Sequence, residues 1–539
     1  MDDASVATDV GAEDELHLGG ALILCLILLF GAYAAFRDLS GSLDSDELRV
    51  ASAARSARQD GSLRLGRGGA EYRRAPLATY MVAASFRLFG ESETAARVPS
   101  GVFACLGVLL VFCVGRTLFT ASVGLWSAGV AAVLPLFIAQ ARACGPFALT
   151  RFLALLSALV WFFVVERIWE CAQGEGGDWR RLLRWVLSWR GAGLLLGAVL
   201  ITGLALHLHG IAAMLLPGLL VYSAWLFGRD VRRLSRWRAL RSPNFLLITA
   251  PALAVVVAAI ASGRAPTYFV PSTVNLADWT TGVSISPRAY HWALGAQGAL
   301  LYALLPLGVL VAVFACGRAG GYCAALFVVA LVLMSLGLRW KAPRLLSVHM
   351  GLYVVLCGVA ADAAARALAG WLPQFRLARK RGVVLGLVAL AVAGATVAAG
   401  IPQRALAATS PSRNHAQREA FAYVKARRTR NDAVVARECS AALYYLGDVD
   451  YKLQGAVPLS VLPGVGEVAS RRDLARAARR HRRLWVVIEK DELYLAGDPG
   501  AKTVSPEMRE VLLGLEPVYV SPPREVLVFR IGAGDVADK

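Results

Sequence analysis

Apolar residues in this chain come in long unbroken runs separated by short basic connections. This is neither the single apolar stripe of a surface helix nor the alternation of a half-buried strand. Eleven such runs fall at 19–36, 97–115, 121–139, 147–166, 191–208, 210–227, 244–262, 291–316, 322–338, 345–364 and 382–400. Runs of this length cross, or nearly cross, a hydrocarbon layer of about 30 Å when helical. The pattern predicts a polytopic α-helical membrane protein with about eleven transmembrane helices. One further apolar stretch, 76–90, is short, contains Arg87 and ends in Gly90. It is expected to lie in the membrane interface rather than to span.

Past residue 400 the pattern changes. A polar helical stretch at 413–430 precedes three strand-like runs at 432–438, 483–489 and 525–531, with helical patterns at 471–481 and 505–515. Strands alternating with helices predict a small α/β domain. The expected division is a cytoplasmic tail at 1–18, a membrane domain at 19–400 with a first external loop at 37–96, and an external soluble domain at 401–539.

Composition agrees with this division. Of 539 residues, 57% are hydrophobic and 18% are charged, which excludes a disordered chain, a collagen-like repeat and a disulfide scaffold. The net charge of +19 could point to nucleic acid, but the basic residues are dispersed over the connections between runs, where they set topology. With a cytoplasmic N-terminus and an interfacial 76–90, eighteen Lys and Arg fall in cytoplasmic connections and seven in the short external ones, Arg151 counted among the seven. That bias predicts a multi-pass protein of the cytoplasmic (inner) membrane with 401–539 outside. The N-terminus is acidic and lacks a basic n-region, so the first run reads as an uncleaved span. Nine dispersed cysteines form no CxxC pair, and His207 and His209, two positions apart, do not share a helix face. No metal site is read from these spacings.

Candidate chemistry begins directly after the first run, in Ser42-Leu43-Asp44-Ser45-Asp46-Glu47-Leu48-Arg49. Two readings stand side by side. The carboxylates can cap a helix that begins there, with Ser45 or Asp46 as N-cap. Alternatively, at a membrane surface, one of them can take a proton from an acceptor hydroxyl while another orients it. A basic element follows, Tyr72-Arg73-Arg74-Ala75-Pro76-Leu77, and then the string LFGESETAARVPS at 88–100 and a short external connection, QARACGPFAL, containing Arg142.

In this order the elements resemble the GT-C glycosyltransferases of family 39, which include protein O-mannosyltransferases and bacterial enzymes that attach aminoarabinose to lipid A. The likeness covers roughly residues 19–170. It implies that Asp46 is the catalytic carboxylate, with Glu47 as its neighbour and Asp44 as a further candidate. It also implies that Arg74 and Arg142 contact the donor phosphate. Two departures stand out. Ala75 replaces a proline, and Cys144-Gly145-Pro146-Phe147 follows Arg142 where several members carry an Asp; no acidic residue lies between Glu93 and Glu166.

A polyprenyl-phosphate sugar as donor implies an inverting transfer of a hexosyl or pentosyl group at the outer face, to a glycan, lipid or protein acceptor. The leaving phosphate needs cations at the membrane surface, and Arg339, Lys341 and Arg344 are further candidates, although they could equally snorkel to headgroups. A divalent cation is left open as a cofactor. The competing functions are a lipid-linked sugar flippase and an inactive relative that only binds the lipid-sugar. Few charges at mid-span and no internal repeat argue against transport.

Overall fold

The computed structural model describes residues 18–65, 71–72, 74–172, 179–233, 290, 294–295, 297–337, 343–371, 411–453, 465–490, 493, 504–522 and 526–537. In chain order the first helices are α1 (Leu18–Phe36), α2 (Ser45–Asp60), α3 (Pro76–Phe89), α4 (Glu93–Leu118), α5 (Ala121–Val133), α6 (Pro135–Ala141), α7 (Phe147–Ala172), α8 (Trp179–Leu187), α9 (Trp189–Leu208) and α10 (Leu215–Arg233). Two compact units emerge. One contains residues up to 37, 100–142 and 146–405, and the other 38–99, 143–145 and 406–539.

The first is the membrane unit. Among the described residues seven helices are long and apolar enough to cross a membrane, and α5 with α6 makes an eighth crossing if the bent pair is one span. The expected run at 291–316 contains a shorter apolar helix, Ala299–Ala315. The runs at 244–262 and 382–400 lie outside the described residues. A polytopic helical protein is therefore what the apolar pattern predicted. Hydrocarbon provides no hydrophobic drive between helices, so they associate by close packing at small residues. Where α5 runs along the helix Met350–Trp371, a Cβ added to Gly358 would stand 2.1 Å from Ser127 Oγ. In the α4–α5 hairpin a Cβ on Gly115 would stand 2.8 Å from the Cα of Gly124. The run expected at 121–139 bends by 63° between α5 and α6. Leu134 is extended there (φ −68°, ψ 121°), as the steric demand of Pro135 on the residue before it requires.

The second unit is built on a six-stranded sheet. Its strands are β1 (Ala433–Ala436), β2 (Tyr451–Leu453), β3 (Gly466–Val468), β4 (Leu484–Glu489), β5 (Tyr519–Val520) and β6 (Val526–Ile531), in the order β3-β2-β1-β4-β6-β5. The first four in that order are parallel, and β6 is antiparallel to both its neighbours. The predicted strands are β1, β4 and β6.

Side chains alternate across the pleat and give the sheet two buried faces. Ala433, Val435, Leu484, Val486, Ile488, Leu527, Phe529 and Ile531 face one core, closed by helices Arg471–Arg480 and Pro506–Leu513. Val434, Ala436, Trp485, Val487, Val526 and Val528 face the other, which they share with Leu48, Ala51 and Ala54 of α2 and Val82 and Phe86 of α3. The first loop and the C-terminal segment thus fold around one core. This packing gives α2 its fixed position, because its apolar side is a wall of that core.

The stretch 76–90 is helix α3, which at 14 residues is about 21 Å long, too short for a span. Its Val82 and Phe86 are buried in the shared core.

Candidate active site at the start of α2

The start of α2 follows from its sequence. Asp44 is the N-cap, with its Oδ1 accepting from the Glu47 backbone N–H at 2.7 Å. Glu47 returns the bond, its Oε2 accepting from the Asp44 N–H at 2.8 Å, which completes a capping box. The helix therefore begins one or two residues earlier than a cap at Ser45 or Asp46 would place it. That shift separates the three carboxylates by role.

Glu47 is buried, with only 6% of its surface exposed, and it is saturated. Its Oε1 accepts from Arg97 Nε at 3.0 Å and from the Cys144 backbone N–H at 2.6 Å, and its Oε2 also accepts from Arg97 Nη2 at 2.8 Å. Arg97 in turn donates to the carbonyls of Leu39 and Ser42 at 2.7 and 2.8 Å, and to that of Gly41. A forked guanidinium on a carboxylate, with the remaining donors on three carbonyls, makes this pair a clamp on the 39–44 turn and on the 143–145 connection. Sequence reasoning quoted Arg97 within its string and gave it no role.

Asp46 takes no part in the cap. Its side chain is 44% exposed and 3.4 Å from Arg49, an i,i+3 pair on the open side of the first turn. Beside it lies the buried Tyr72 phenol. Burial holds that phenol protonated well above its usual range; Arg74 opposes the shift and Asp46 adds to it, with smaller contributions from Cys144 and Arg49. Tyr72 thus has Asp46 and Arg74 as its electrostatic neighbours. The Cys144 thiol is likewise pushed well above its ordinary value, by burial first and then by the Glu47 charge, so it stays a protonated thiol near neutrality.

Arg74 is exposed, and Ala75 after it has φ +44° and ψ 56°. A non-glycine residue in this region, immediately before a proline, carries strain of about 1–3 kcal/mol. Ala75 is 4% exposed and starts α3, so the buried core holds the strained turn that presents Arg74.

The second unit therefore brings Asp44, Asp46, Glu47 and Arg74 together. Arg142 and Arg344 belong to the membrane unit. Arg142 caps α6, and its Nε donates to the Ala34 carbonyl at 2.8 Å. Arg344 sits in the short helix Pro343–Leu346. Arg339 and Lys341 lie outside the described residues. His207 is exposed, while His209 caps the turn Gly210–Met214 through Nδ1 and meets the Phe147 ring at 5.1 Å. Among the described residues no three His, Cys, Asp or Glu side chains are grouped so as to hold a metal ion.

The model of the family described as dolichyl-phosphate-mannose-protein mannosyltransferase matches residues 73–261. Among solved structures the chain is similar to ArnT from Cupriavidus metallidurans in the apo state, with TM-score 0.60 and 14% identity over 96% of this chain and 99% of that one. The same protein bound to undecaprenyl phosphate aligns with TM-score 0.56 and 14% identity, over 96% and 98% of the two chains. The archaeal oligosaccharyltransferase AglB from Archaeoglobus fulgidus, in complex with an inhibitory peptide and a dolichol-phosphate, gives TM-score 0.55 at 11% identity over 87% and 69%. This is a GT-C fold. The family-39 likeness read from residues 19–170 is borne out by the match over 73–261 and by these structures. No curated protein matches the chain by sequence. Within the GT-C frame, the saturated Glu47 and the open Asp46 are features of this chain's own geometry.

Proposed function

We propose that this protein is an inverting membrane glycosyltransferase of the cytoplasmic (inner) membrane. It moves a hexosyl or pentosyl group from a polyprenyl-phosphate donor to an acceptor hydroxyl of a glycan, lipid or protein at the outer face. The observation that carries this reading is the division of labour at α2. Glu47 is held in the clamp with Arg97, while the Asp46 side chain, one residue away on a helix anchored in the core, is 44% exposed.

In the proposed reaction Asp46 accepts the proton of the acceptor hydroxyl. The acceptor oxygen forms a bond to the anomeric carbon from the face opposite the phosphate. The bond from that carbon to the phosphate oxygen breaks, and its electron pair leaves on polyprenyl phosphate. Asp44 and Glu47 position Asp46 through the capping box. Arg74 holds the donor phosphate; Arg142, Arg339, Lys341 and Arg344 are the further cations proposed for it. Similar solved structures are bound to undecaprenyl phosphate or dolichol-phosphate, which supports a lipid-linked donor. An added divalent cation is not required by the proton and charge balance of this step.

Arg74→Ala is expected to raise the donor KM roughly 10–100-fold, the loss of a charge-assisted contact, and Arg74→Lys to raise it less because a point charge remains. Equal donor KM in wild type and Arg74→Ala would remove the assignment. Orientation is tested by reporter fusions. One after residue 230 should report the cytoplasm and one after 405 the exterior; an external signal at 230 contradicts this topology.

The function itself is tested by mass spectrometry of lipids and glycans from cells with and without the protein. Loss of the protein should remove one sugar modification and leave its lipid-linked donor to accumulate. An unchanged modification with donor retained on the inner leaflet would instead indicate a flippase.

A further inference from the structure

Positive charge in the second unit is concentrated on one helix. Helix Arg471–Arg480 and the turn after it hold seven arginines, at 471, 472, 476, 479, 480, 482 and 483, against one acid, Asp473. The apolar side of the helix, Leu474, Ala477 and Ala478, is buried in the core of the sheet, and Arg472, Arg476, Arg479, Arg480 and Arg482 are exposed. Arg472, Arg476 and Arg480 stand four apart, so they form a row about 12 Å long on one face. The chain extends the row. The Arg482 N–H donates to the Asn431 carbonyl at 3.1 Å, and the residue before Asn431 is another exposed arginine, Arg430.

Neither internal pairing, helix electrostatics nor membrane topology accounts for this row. Among the described residues the seven arginines make one ion pair, Arg476 with Asp473 at 3.5 Å. Acids on neighbouring elements are engaged elsewhere, Glu467 with Lys452 at 3.0 Å and Asp535 with the Gly532 N–H at 2.7 Å. The helix dipole favours Arg479 and Arg480 in the last turn but opposes Arg471 and Arg472 in the first. Like charges four apart on a helix also repel. Arginines that orient spans act close to the span ends, and these lie far beyond the last apolar run, which ends at 400. The face is complementary to a polyanion.

Its composition separates a polymer from a bilayer. Helices that lie on membranes insert Trp, Phe or Leu among the headgroups. Here the apolar side is already used by the core, and residues 471–483 include no exposed large apolar side chain. Next to the row is instead a half-buried aromatic pair with polar tips, Tyr451 with its hydroxyl 3.0 Å from His481 Nε2. An acidic sugar offers anionic oxygens to guanidinium forks and C–H faces to such rings. We propose that this face docks an acidic glycan of the cell envelope, an extended polymer with anionic groups along its length. The site is separate from α2, which packs on the opposite face of the sheet. The inference rests on the proposed external position of 401–539, which the reporter after residue 405 tests separately from binding by purified protein.

The test uses the full chain in phosphatidylcholine nanodiscs. Polygalacturonate oligomers serve as the acidic glycan, their methyl esters as the uncharged match, and vesicles of equal parts phosphatidylcholine and phosphatidylglycerol as the lipid alternative. Wild type should bind the acid oligomers and not the esters, more tightly with oligomer length and more weakly as salt is raised. Arg472→Ser/Arg476→Ser/Arg480→Ser should weaken binding roughly 10–100-fold and melt no lower than wild type, because it removes like charges from an exposed face. Arg64→Ser/Arg87→Ser, which removes two exposed arginines outside this face, should bind as wild type does. Equal binding by wild type and the triple variant, or an equal loss in the Arg64/Arg87 variant, overturns the assignment. Binding of the esters as tight as that of the acids overturns the charge basis, and preference for the vesicles over the oligomers overturns the glycan as partner.

Discussion

Asp46→Asn is expected to lower turnover by about 10²–10⁴-fold, the usual worth of a positioned general base, with little change in stability. The structure separates the two effects. The helix cap is Asp44, so an amide at position 46 leaves the capping box in place. The 3.4 Å contact of Asp46 with Arg49 belongs to a partly exposed pair worth at most about 1 kcal/mol. A melting temperature near that of wild type, together with a large loss of kcat, is the expected pair of results. Normal turnover in Asp46→Asn would move the proton-accepting role to Asp44, the remaining carboxylate of this turn with open surface.

Arg97→Met should act in the opposite sense, on the fold first. It removes the guanidinium donors to the Leu39, Gly41 and Ser42 carbonyls and leaves the Glu47 carboxylate buried without its cation. Breaking one partner of such a pair costs about 3–5 kcal/mol. Glu47→Gln should cost less, because an amide of the same shape can still accept from Arg97 and from the Cys144 N–H. The double variant Glu47→Gln/Arg97→Met should be more stable than the sum of the two single losses predicts, since the uncompensated charge is gone. Thermal unfolding and retained binding of a lipid phosphate measure these effects together. Additive losses in that cycle would show that Glu47 and Arg97 do not act as a pair.

These two variants also show what the sequence could and could not reveal. The spans were legible because hydrocarbon imposes one length and one polarity on every crossing. The strands β1, β4 and β6 were legible because they carry apolar runs of four to six residues. β2, β3 and β5 have only two or three residues each, too few for any period to show. The acidic cluster was legible as a cluster, but its roles were not. Moving the helix start to Ser45 makes Asp44 the cap and leaves Asp46 open, and such boundaries are set by tertiary packing as much as by local propensity.

Long-range pairing was invisible for another reason. Glu47 and Arg97 are fifty positions apart, and no local spacing links them. Arg151 was counted with the external connections, whereas it lies inside α7 and is buried. A charged residue within an apolar run was the available signal, since such residues are costly in a membrane and tend to be retained for a task. The likeness to family 39 supplied Asp46 and Arg74 as candidates, and the structure supplies the geometry that tells Asp46 from Glu47.

The most direct test of the central claim is the release of free polyprenyl phosphate by purified protein. Liposomes made from a lipid extract of cells lacking the protein would carry both the accumulated donor and the unmodified acceptor. Full-length protein reconstituted into them should release polyprenyl phosphate in step with appearance of the sugar-modified product, and Asp46→Asn should slow both by about 10²–10⁴-fold. Donor left intact by the wild-type protein, or release at equal rates by wild type and Asp46→Asn, would contradict the account.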